Sequence, residues 1–307
     1  MSYLGYADPR YCASLREFGE PRHLAQSGGW VLVRDIPGRG ARDVTGCYPL
    51  FCAPTWDGLG DDIDALRDDF VSLVLVTDPF GEVDRDDLTR RPGVRLVPWK
   101  DHFVIDLEIA PERLGDENRR RNALKAARSV RLEEIDDPTS LADVWVRLYG
   151  NLVHRFGASG MHAPTSDALM AQLAIPGATL LVAYHGDEVV QAQLYLRAGD
   201  VAYLHLVGVT PEAYGLNAGA ALTRFSIERL RDRVSVLDLG GGAGLDPAVD
   251  DGLTSFKRAW STSTLPTWLV CVVLDDGRYA ELVASGSDPH YFPAYRSPDI
   301  VSAEGSR

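Results

Sequence analysis

The stretch TLLVAYHGDEVVQAQLYLRAGDVAYLHLVGV, residues 179–209, decides the fold of this chain. It contains three runs rich in the β-branched, aliphatic and aromatic residues that strands favour: 179–185, 189–197 and 201–209. Gly186-Asp187 separates the first pair of runs and Ala198-Gly199-Asp200 the second, and both are hairpin turn signals. The stretch therefore predicts an antiparallel meander of three strands.

The residues on either side of the meander predict the elements that complete a mixed α/β unit. Two helices are predicted before it, over residues 139–156 and 165–174. After it we expect a helix over 218–231, a strand over 234–239, a glycine cluster at 240–244 and a strand over 267–274. This order of elements resembles that of a Gcn5-related N-acyltransferase domain.

The first half of the chain also reads as mixed α/β. We expect strands over 30–33, 71–77 and 102–108, a short helix over 61–70 and a helix over 117–128. Arg121, Lys125 and Arg128 fall at i, i+4 and i+7 of that last helix and predict a basic face. The fold class that follows is α/β with mixed sheets.

The charge balance limits the partners that the chain can have. The formal net charge is −13, whereas proteins that wrap a long stretch of nucleic acid show a basic face, because neutralised phosphates supply most of their affinity. The balance argues against DNA binding. It leaves open the docking of a small charged ligand, or of the end of a tRNA, on a local basic patch.

Composition also bears on compartment. No run of eighteen apolar residues is present, and the first twenty residues lack the apolar core of a secretory signal. The four cysteines, Cys12, Cys47, Cys52 and Cys271, have no metal-ligand spacing. We therefore expect a cytoplasmic protein without membrane insertion, and with no metal site.

Four phrases along the chain resemble the Fem-type peptidyltransferases. Asp43-Val44-Thr45-Gly46-Cys47-Tyr48-Pro49 resembles their Asp-x-Thr-x-x-Tyr substrate loop, and residues 102–107 followed by 118–127 resemble their strand-to-helix passage. Leu239-Gly240-Gly241-Gly242 with residues 252–260 (GLTSFKRAW) is similar to their most characteristic block. Tyr291-Phe292-Pro293-Ala294-Tyr295-Arg296 resembles their shared tail. The phrases occur in the family's order over nearly the whole chain.

The resemblance implies a pair of Gcn5-related N-acyltransferase domains, which we expect at residues 1–135 and 136–307, the first of them degenerate. It implies an acceptor bound in the cleft between the domains. It further implies transfer of an aminoacyl group from aminoacyl-tRNA to the amine of a small peptide or nucleotide-linked acceptor, an antibiotic or cell-wall precursor. The charged tRNA is then a co-substrate, no other cofactor is needed, and a monomer suffices. The helical arm that some members carry is missing from this sequence.

Lys257, which follows Phe256, is the catalytic candidate. It is one of only three lysines, with Lys100 and Lys125, in an arginine-dominated chain. Aminolysis of an ester passes through an intermediate with a negative oxygen, which a fixed ammonium stabilises. The family assigns that role to the lysine of its Phe-Lys motif. The alternative interpretation is a surface lysine whose stem packs on Phe256 or Trp260.

The remaining candidates are substrate-binding residues. The resemblance points to Asp43, Thr45 and Tyr48, and the glycine cluster, with Gly241 and Gly242, is interpreted as a cleft-lining loop and not as a phosphate loop, since GxGxxG is absent. The basic helix offers Arg120 and Arg121 for phosphate, although charged helical faces are usually only solvated. Asp106, Tyr149, Tyr203 and His205 complete the set, and each has a structural or core alternative.

Two other functions stay open. Acyl-CoA members of the superfamily bind pyrophosphate through a Q/RxxGxG/A turn, and here residues 214–220 read YGLNAGA, without the leading Gln or Arg. This disfavours coenzyme A as donor; Asn217 is equally well explained as a helix N-cap. The other alternative is a binding protein that kept the fold and lost catalysis.

Overall fold

The computed structural model of the 307-residue chain describes residues 3–242, 252–283 and 291–297. The N-terminal part forms α1 (Pro9–Ser14), β1 (Glu20–His23), β2 (Trp30–Ile36), β3 (Ala41–Gly46), α2 (Leu59–Ala65), β4 (Ser72–Val76) and α3 (Arg85–Arg90). The middle part forms β5 (Val94–Asp106), α4 (Glu117–Ala126), β6 (Arg131–Ile135), α5 (Ala142–Phe156), α6 (Ser166–Leu173), β7 (Thr179–His185), β8 (Glu188–Ala198) and β9 (Val201–Val209). The last part forms α7 (Pro211–Gly215), α8 (Ala218–Leu230), β10 (Val236–Asp238), α9 (Gly252–Trp260), β11 (Ser263–Val273) and α10 (Asp276–Leu282).

The chain divides into two compact units. The larger unit contains residues 1–14 and 100–266, and the smaller one contains residues 15–99 and 267–307. Strands β5 and β11 both run from one unit into the other.

The larger unit is built on the predicted meander. Its strands follow the order β5-β10-β9-β8-β7-β6. Two-residue turns join β7 to β8 and β8 to β9, and Gly186 (φ 60°) and Gly199 (φ 52°) take the left-handed conformation that such turns require. The meander of the sequence analysis is confirmed.

Helices cover the meander of the larger unit. Helix α5 presents Trp145, Leu148 and Tyr149 at helical spacing and ends at Phe156, with Gly157 as its C-cap at φ 59°. Helix α8 packs small residues, among them Ala220 and Ala221, against the sheet. The core of this unit includes Ile105, Tyr195, Leu237 and Trp260.

The smaller unit has its own sheet segment and core. Its strands follow the order β1-β2-β3-β4-β11, with β3 parallel to β4 and antiparallel pairs elsewhere. Apolar residues of β2, β4 and β11 pack against α2, and they include Val31, Leu73 and Val270.

The division into units differs from the predicted one. We expected a boundary at residue 135, but α4, β6 and the second half of β5 group with the meander, and the segment after Pro266 groups with the smaller unit. The physical reason is pairing: β10 bonds to β5, and β11 bonds to β4. That the first domain is a degenerate acyltransferase copy stays a prediction.

Several predicted elements are confirmed with shifted ends, because 3₁₀ turns and caps trim them. The helix expected over 139–156 begins as an α-helix at Ala142, after a 3₁₀ turn over Pro138–Leu141. The expected substrate loop at 43–49 is half strand, since β3 runs to Gly46. Among the described residues, no helix combines the length and apolar character needed to cross a membrane.

Candidate functional site

The site begins where two parallel strands of the larger unit separate. Strand β10 pairs in parallel with β9 only at Val201–Tyr203, although β9 continues to Val209. Beyond Asp238 the chain stays with β5 instead: Leu239 N donates to Phe103 O at 2.8 Å, and Phe103 N donates to Gly240 O at 3.2 Å. Two successive residues thus share one partner, which is a bulge, a feature often found beside active sites.

Helix α9 lies along the glycines that follow this bulge. Its Phe256 and Trp260, at i and i+4, pack on the core. Its Thr254 and Lys257, at i and i+3, face the glycines: a Cβ at Gly242 would lie 2.5 Å from Thr254 Oγ1, and one at Gly240 would lie 3.3 Å from Lys257 Nζ. The helix therefore buries one face and brings a hydroxyl and an ammonium to the end of β10.

Two lysines are held on successive carbonyls at this point. Lys257 Nζ donates to Gly241 O at 2.6 Å, and Lys100 Nζ, from β5, donates to Gly242 O at 3.1 Å. Both lysines are half-buried. We call Lys100, Lys257 and residues 240–242 the lysine–glycine cluster. Gly240 has φ 76°, a conformation that favours glycine, and a Cβ at Gly241 would lie 3.1 Å from the Lys100 stem.

A histidine–carboxylate pair adjoins the cluster. His102 Nδ1 donates to Asp238 Oδ2 at 2.7 Å, and the side chains are only 8% and 2% exposed. The second carboxylate oxygen, Oδ1, accepts from Gly240 N at 2.7 Å. Asp238 therefore fixes both the imidazole ring and the first glycine of the lysine–glycine cluster.

One further histidine lies near the cluster. Tyr149 donates its hydroxyl to His162 O at 2.8 Å, which ties α5 to the 3₁₀ turn over Gly160–His162. The pKa of His162 lies below its usual value because burial of part of the ring, and then the positive charge of Lys100, disfavour protonation. The cluster therefore contains two ammonium groups in fixed positions, and protonation of the neighbouring His162 is disfavoured.

The comparisons with known proteins bear on the fold that carries this site. Residues 114–258 match the family model of the acetyltransferase (GNAT) domain. FemX is similar in structure, with a TM-score of 0.63, 12% identity, and coverage of 85% of this chain and 90% of that one. The fold is that of a Fem-like Gcn5-related N-acyltransferase.

Two further solved structures are also similar. The C-terminal domain of a protein described as a lysylphosphatidylglycerol synthetase from Agrobacterium fabrum has a TM-score of 0.64 at 14% identity, covering 90% of each chain. L-PGS from Bacillus licheniformis has a TM-score of 0.56 at 13% identity, covering 88% of this chain and 93% of that one. A comparison with curated protein sequences gave no significant match.

Phe256, predicted beside the catalytic lysine, has a packing position in this acyltransferase fold. Its ring packs on the core of the larger unit, and the Arg119 guanidinium lies 5.6 Å from the ring centroid. By anchoring α9, Phe256 fixes the direction in which Lys257 points. Its contribution to catalysis stays a prediction, as does that of Lys257.

The structure places the candidates Asp43, Thr45 and Tyr48 in the smaller unit. Asp43 is fully buried and accepts from Arg34, Arg296 and Tyr295, so the tail phrase at 291–296 is bonded to the phrase at 43–49. Thr45 is buried and donates to Gly46 O. Burial raises the pKa of Tyr48. Asp43 and Thr45 are not in a loop as expected, and their described contacts are structural.

Asp106, Arg120 and Arg121 lie in the larger unit, and no described contact joins them to the lysine–glycine cluster. Asp106 Oδ1 accepts from Glu108 N at 2.9 Å and shapes the turn after β5. Arg121 donates to Asn118 Oδ1 at 2.9 Å on an exposed face. Arg120 donates to Gly115 O at 2.5 Å and lines a cavity of about 260 Å³. The basic helix ends at Ala126, so Arg128 lies beyond it.

The aromatic candidates differ in position. Tyr149 reaches the His162 turn described above, whereas Tyr203 and His205 are buried. His205 lies between Tyr6 Oη, 3.2 Å from Nδ1, and Gln172 Oε1, 3.0 Å from Nε2, and burial lowers its pKa to about 3. Their surroundings are those of the core alternative. Asn217 stands at the N-cap of α8 with φ 52° and makes no side-chain cap bond.

Four side chains of this region were not predicted from the sequence: Lys100, His102, Asp238 and Thr254. Lys100 had a signal, since it is one of only three lysines, and two of the three meet in the lysine–glycine cluster. The His102–Asp238 pair had none, because 136 residues separate its members. The part of the glycine loop from residue 243 to 251 lies outside the described residues. Within the described part of the chain, no group of His, Cys, Asp and Glu has the geometry of a metal site.

Proposed function

We propose that this protein is an aminoacyl-tRNA-dependent N-acyltransferase, which forms an amide by transferring the aminoacyl group to the amine of a small peptide or nucleotide-linked acceptor. The observation that carries the proposal is the lysine–glycine cluster. Two ammonium groups are fixed on successive carbonyls, at the point where β9 and β10 of a Fem-like fold separate.

The chemistry of ester aminolysis fits this arrangement. The donor ester is already activated, so holding the amine against it supplies much of the rate. The remaining demand is for positive charge beside the carbonyl oxygen that becomes negative. Lys257 has three N–H donors, and its bond to Gly241 O orients the ammonium before the reaction begins.

The donor is proposed from two features. The turn before α8 lacks the Gln or Arg that leads the coenzyme A signature, and FemX, the protein described as a lysylphosphatidylglycerol synthetase and L-PGS resemble this chain over at least 85% of its length. The acidic chain, with net charge −13, then binds only the acceptor end of the tRNA. The protein is proposed to act as a monomer in the cytoplasm.

A second candidate donor is acyl-CoA. The match of residues 114–258 to the acetyltransferase domain favours it, because that domain name describes acetyl transfer.

One experiment separates these functions. The protein is incubated with charged tRNA and a panel of amines, with and without prior RNase treatment of the donor, while calorimetry measures coenzyme A binding. We expect an RNase-sensitive amide product and no coenzyme A binding. Coenzyme A binding together with RNase-insensitive transfer from acyl-CoA would replace the proposed donor by the second one. No transfer from either donor favours the inactive binding protein.

A further inference from the structure

The His102–Asp238 pair is arranged as an oriented base. The carboxylate holds Nδ1 at 2.7 Å, so the proton of the neutral ring is on Nδ1 and the lone pair is on Nε2. No hydrogen bond joins Nε2 to any residue that the structure describes. Asp238 cannot rotate away, since its other oxygen is held by Gly240 N at 2.7 Å.

The pair lies beside the two fixed ammonium groups. His102 and Lys100 are two residues apart on β5, so their side chains leave the same face of the strand. Lys100 Nζ reaches Gly242 O, and Lys257 Nζ reaches Gly241 O. An oriented imidazole and two ammonium groups are thus grouped around a run of three glycines.

We propose that His102 is the general base that takes the proton from the acceptor amine, and that Asp238 is its positioning residue. The inference rests on the proposed function and names a further catalytic residue for it.

The proton and the electron pairs balance in this scheme. The neutral amine attacks the acyl carbon, a C–N bond forms, and the carbonyl π pair moves to the oxygen that Lys257 faces. His102 Nε2 accepts a proton from the nitrogen, which is now positively charged. The carbonyl then reforms, the ester C–O bond breaks, and its electron pair leaves on the ribose oxygen. That oxygen takes the proton from the imidazolium, and His102 returns to its neutral form.

Other groups near the cluster are poorer bases. Lys100 and Lys257 are donors that hold backbone carbonyls. For His162, burial of part of the ring and then the Lys100 charge oppose protonation and lower the pKa. His205 has both ring nitrogens engaged in the core, and burial lowers its pKa to about 3.

His102→Asn tests the base without removing the bond to Asp238. The asparagine amide places an N–H donor near the former position of Nδ1 and has no basic nitrogen. We expect the variant to melt with the native protein and to lose roughly 10²–10⁴-fold in the single-turnover rate of transfer. The matched control is His185→Asn, since His185 also pairs with a carboxylate, Glu212, at 2.8 Å, but this pair is exposed and lies at the end of β7. The control should transfer at the native rate.

Asp238→Asn tests the positioning role. An asparagine amide donates to Nδ1, which moves the ring proton to Nε2 and removes the lone pair from the side of the substrate. We expect ¹⁵N NMR of labelled histidine to show Nδ1–H in the native protein and Nε2–H in the variant. The rate of transfer should fall by at least roughly 100-fold with KM nearly unchanged.

The outcomes separate the two proposals. An active native protein with an equally active His102→Asn variant, or a native His102 protonated on Nε2, overturns the role of His102 and leaves the proposed function standing. A native protein that transfers from neither charged tRNA nor acyl-CoA refutes the proposed function and this inference with it. Loss of transfer in the variant with either donor supports the base, because the proton leaves the amine whichever ester reacts.

Discussion

Replacement of Lys257 by alanine removes the ammonium that the structure fixes at the end of β10. The Nζ atom donates to Gly241 O at 2.6 Å, a short charge-assisted bond. We expect Lys257→Ala to lower the rate of transfer roughly a hundredfold, which corresponds to about 2.7 kcal/mol of transition-state stabilisation and to the loss of one oxyanion donor. Acceptor binding should change little, because the charge on the oxygen develops only in the transition state.

The cost to stability is smaller and can be measured separately. A hydrogen bond to a charged group contributes about 1.5–3 kcal/mol when buried, and Lys257 is only half-buried, so about 1 kcal/mol is expected. A loss of this size leaves a protein of ordinary stability folded at 25 °C. The fall in rate therefore cannot come from unfolding.

Two further variants sharpen the test. Lys257→Arg keeps the charge, but a planar guanidinium does not place its donors where a compact ammonium does, so only part of the rate should return. Lys125→Ala is the matched control, since Lys125 is an exposed lysine on α4 and its loss changes the net charge by the same amount. It should transfer at the native rate.

The assay is single-turnover transfer from charged tRNA, run beside thermal melting of each variant. A normal rate for Lys257→Ala would remove Lys257 from the mechanism and leave the fold assignment standing. Equal rates for the alanine and arginine variants, both with small stability losses, would support the packing role of the lysine stem instead.

Three further predictions concern the packing at Gly242, the pH dependence of stability and the burial of Asp43. Gly242→Ala should lower both the melting temperature and the transfer rate, because its Cβ would lie 2.5 Å from Thr254 Oγ1. Adding Thr254→Ala should restore both, since the next contact is 3.7 Å away; a double variant no better than the single one would contradict this explanation. Folding lowers the pKa of His205 from 6.5 to about 3, so the unfolded chain takes up a proton on His205 before the folded one does. The free energy of unfolding therefore keeps its full value above pH 6.5 and decreases as pH falls toward 3. Chemical denaturation at pH 6 and at pH 4 should show that the free energy of unfolding falls by about 2–3 kcal/mol less for His205→Gln than for the native protein. An equal fall in the two proteins would exclude His205 as the cause. Asp43→Asn should cost about 3 kcal/mol in the free energy of unfolding, because it breaks a buried pair with Arg34 and Arg296; full stability with lost substrate binding would instead favour the predicted substrate role of Asp43.

The meander was predictable because its signals are local. Each strand has its own run of strand-forming residues, and each turn has a glycine within two residues of the strand ends. Strand β3 was not predictable in the same way. It includes Asp43, and a buried carboxylate in a strand is tolerable only with partners, one of which, Arg296, lies 253 residues away.

The grouping of elements into units was hidden from the sequence for a similar reason. A boundary is visible when composition changes, but here β5 and β11 continue without a break from one unit into the other. The pairing of strands depends on residues far apart in the sequence, and the residues near positions 100 and 266 carry no local signal of a boundary.

The candidate site also combines a residue that local sequence predicts with residues that it does not. Lys257 was predicted from a short motif, whereas His102 and Asp238 come together only when β5 and β10 pair. The neighbours Leu237 and Ile105 pair across the same two strands and belong to the core. The apolar core therefore fixes the register of β5 against β10, and this register brings His102 and Asp238 together.

Lysine is scarce in this chain, so the presence of two lysines in the lysine–glycine cluster calls for a physical reason. In a chain with net charge −13 and a strong preference for arginine, two of the three lysines bond to Gly241 and Gly242. An ammonium is a compact charge with three donors, so it can hold a carbonyl and still direct an N–H elsewhere, whereas a guanidinium spreads its charge over a plane. The carbonyl dipoles compensate each ammonium before any substrate arrives. In the proposed function, the acyl oxygen that becomes negative then meets an ammonium that is already oriented, and we expect this orientation to lower the barrier.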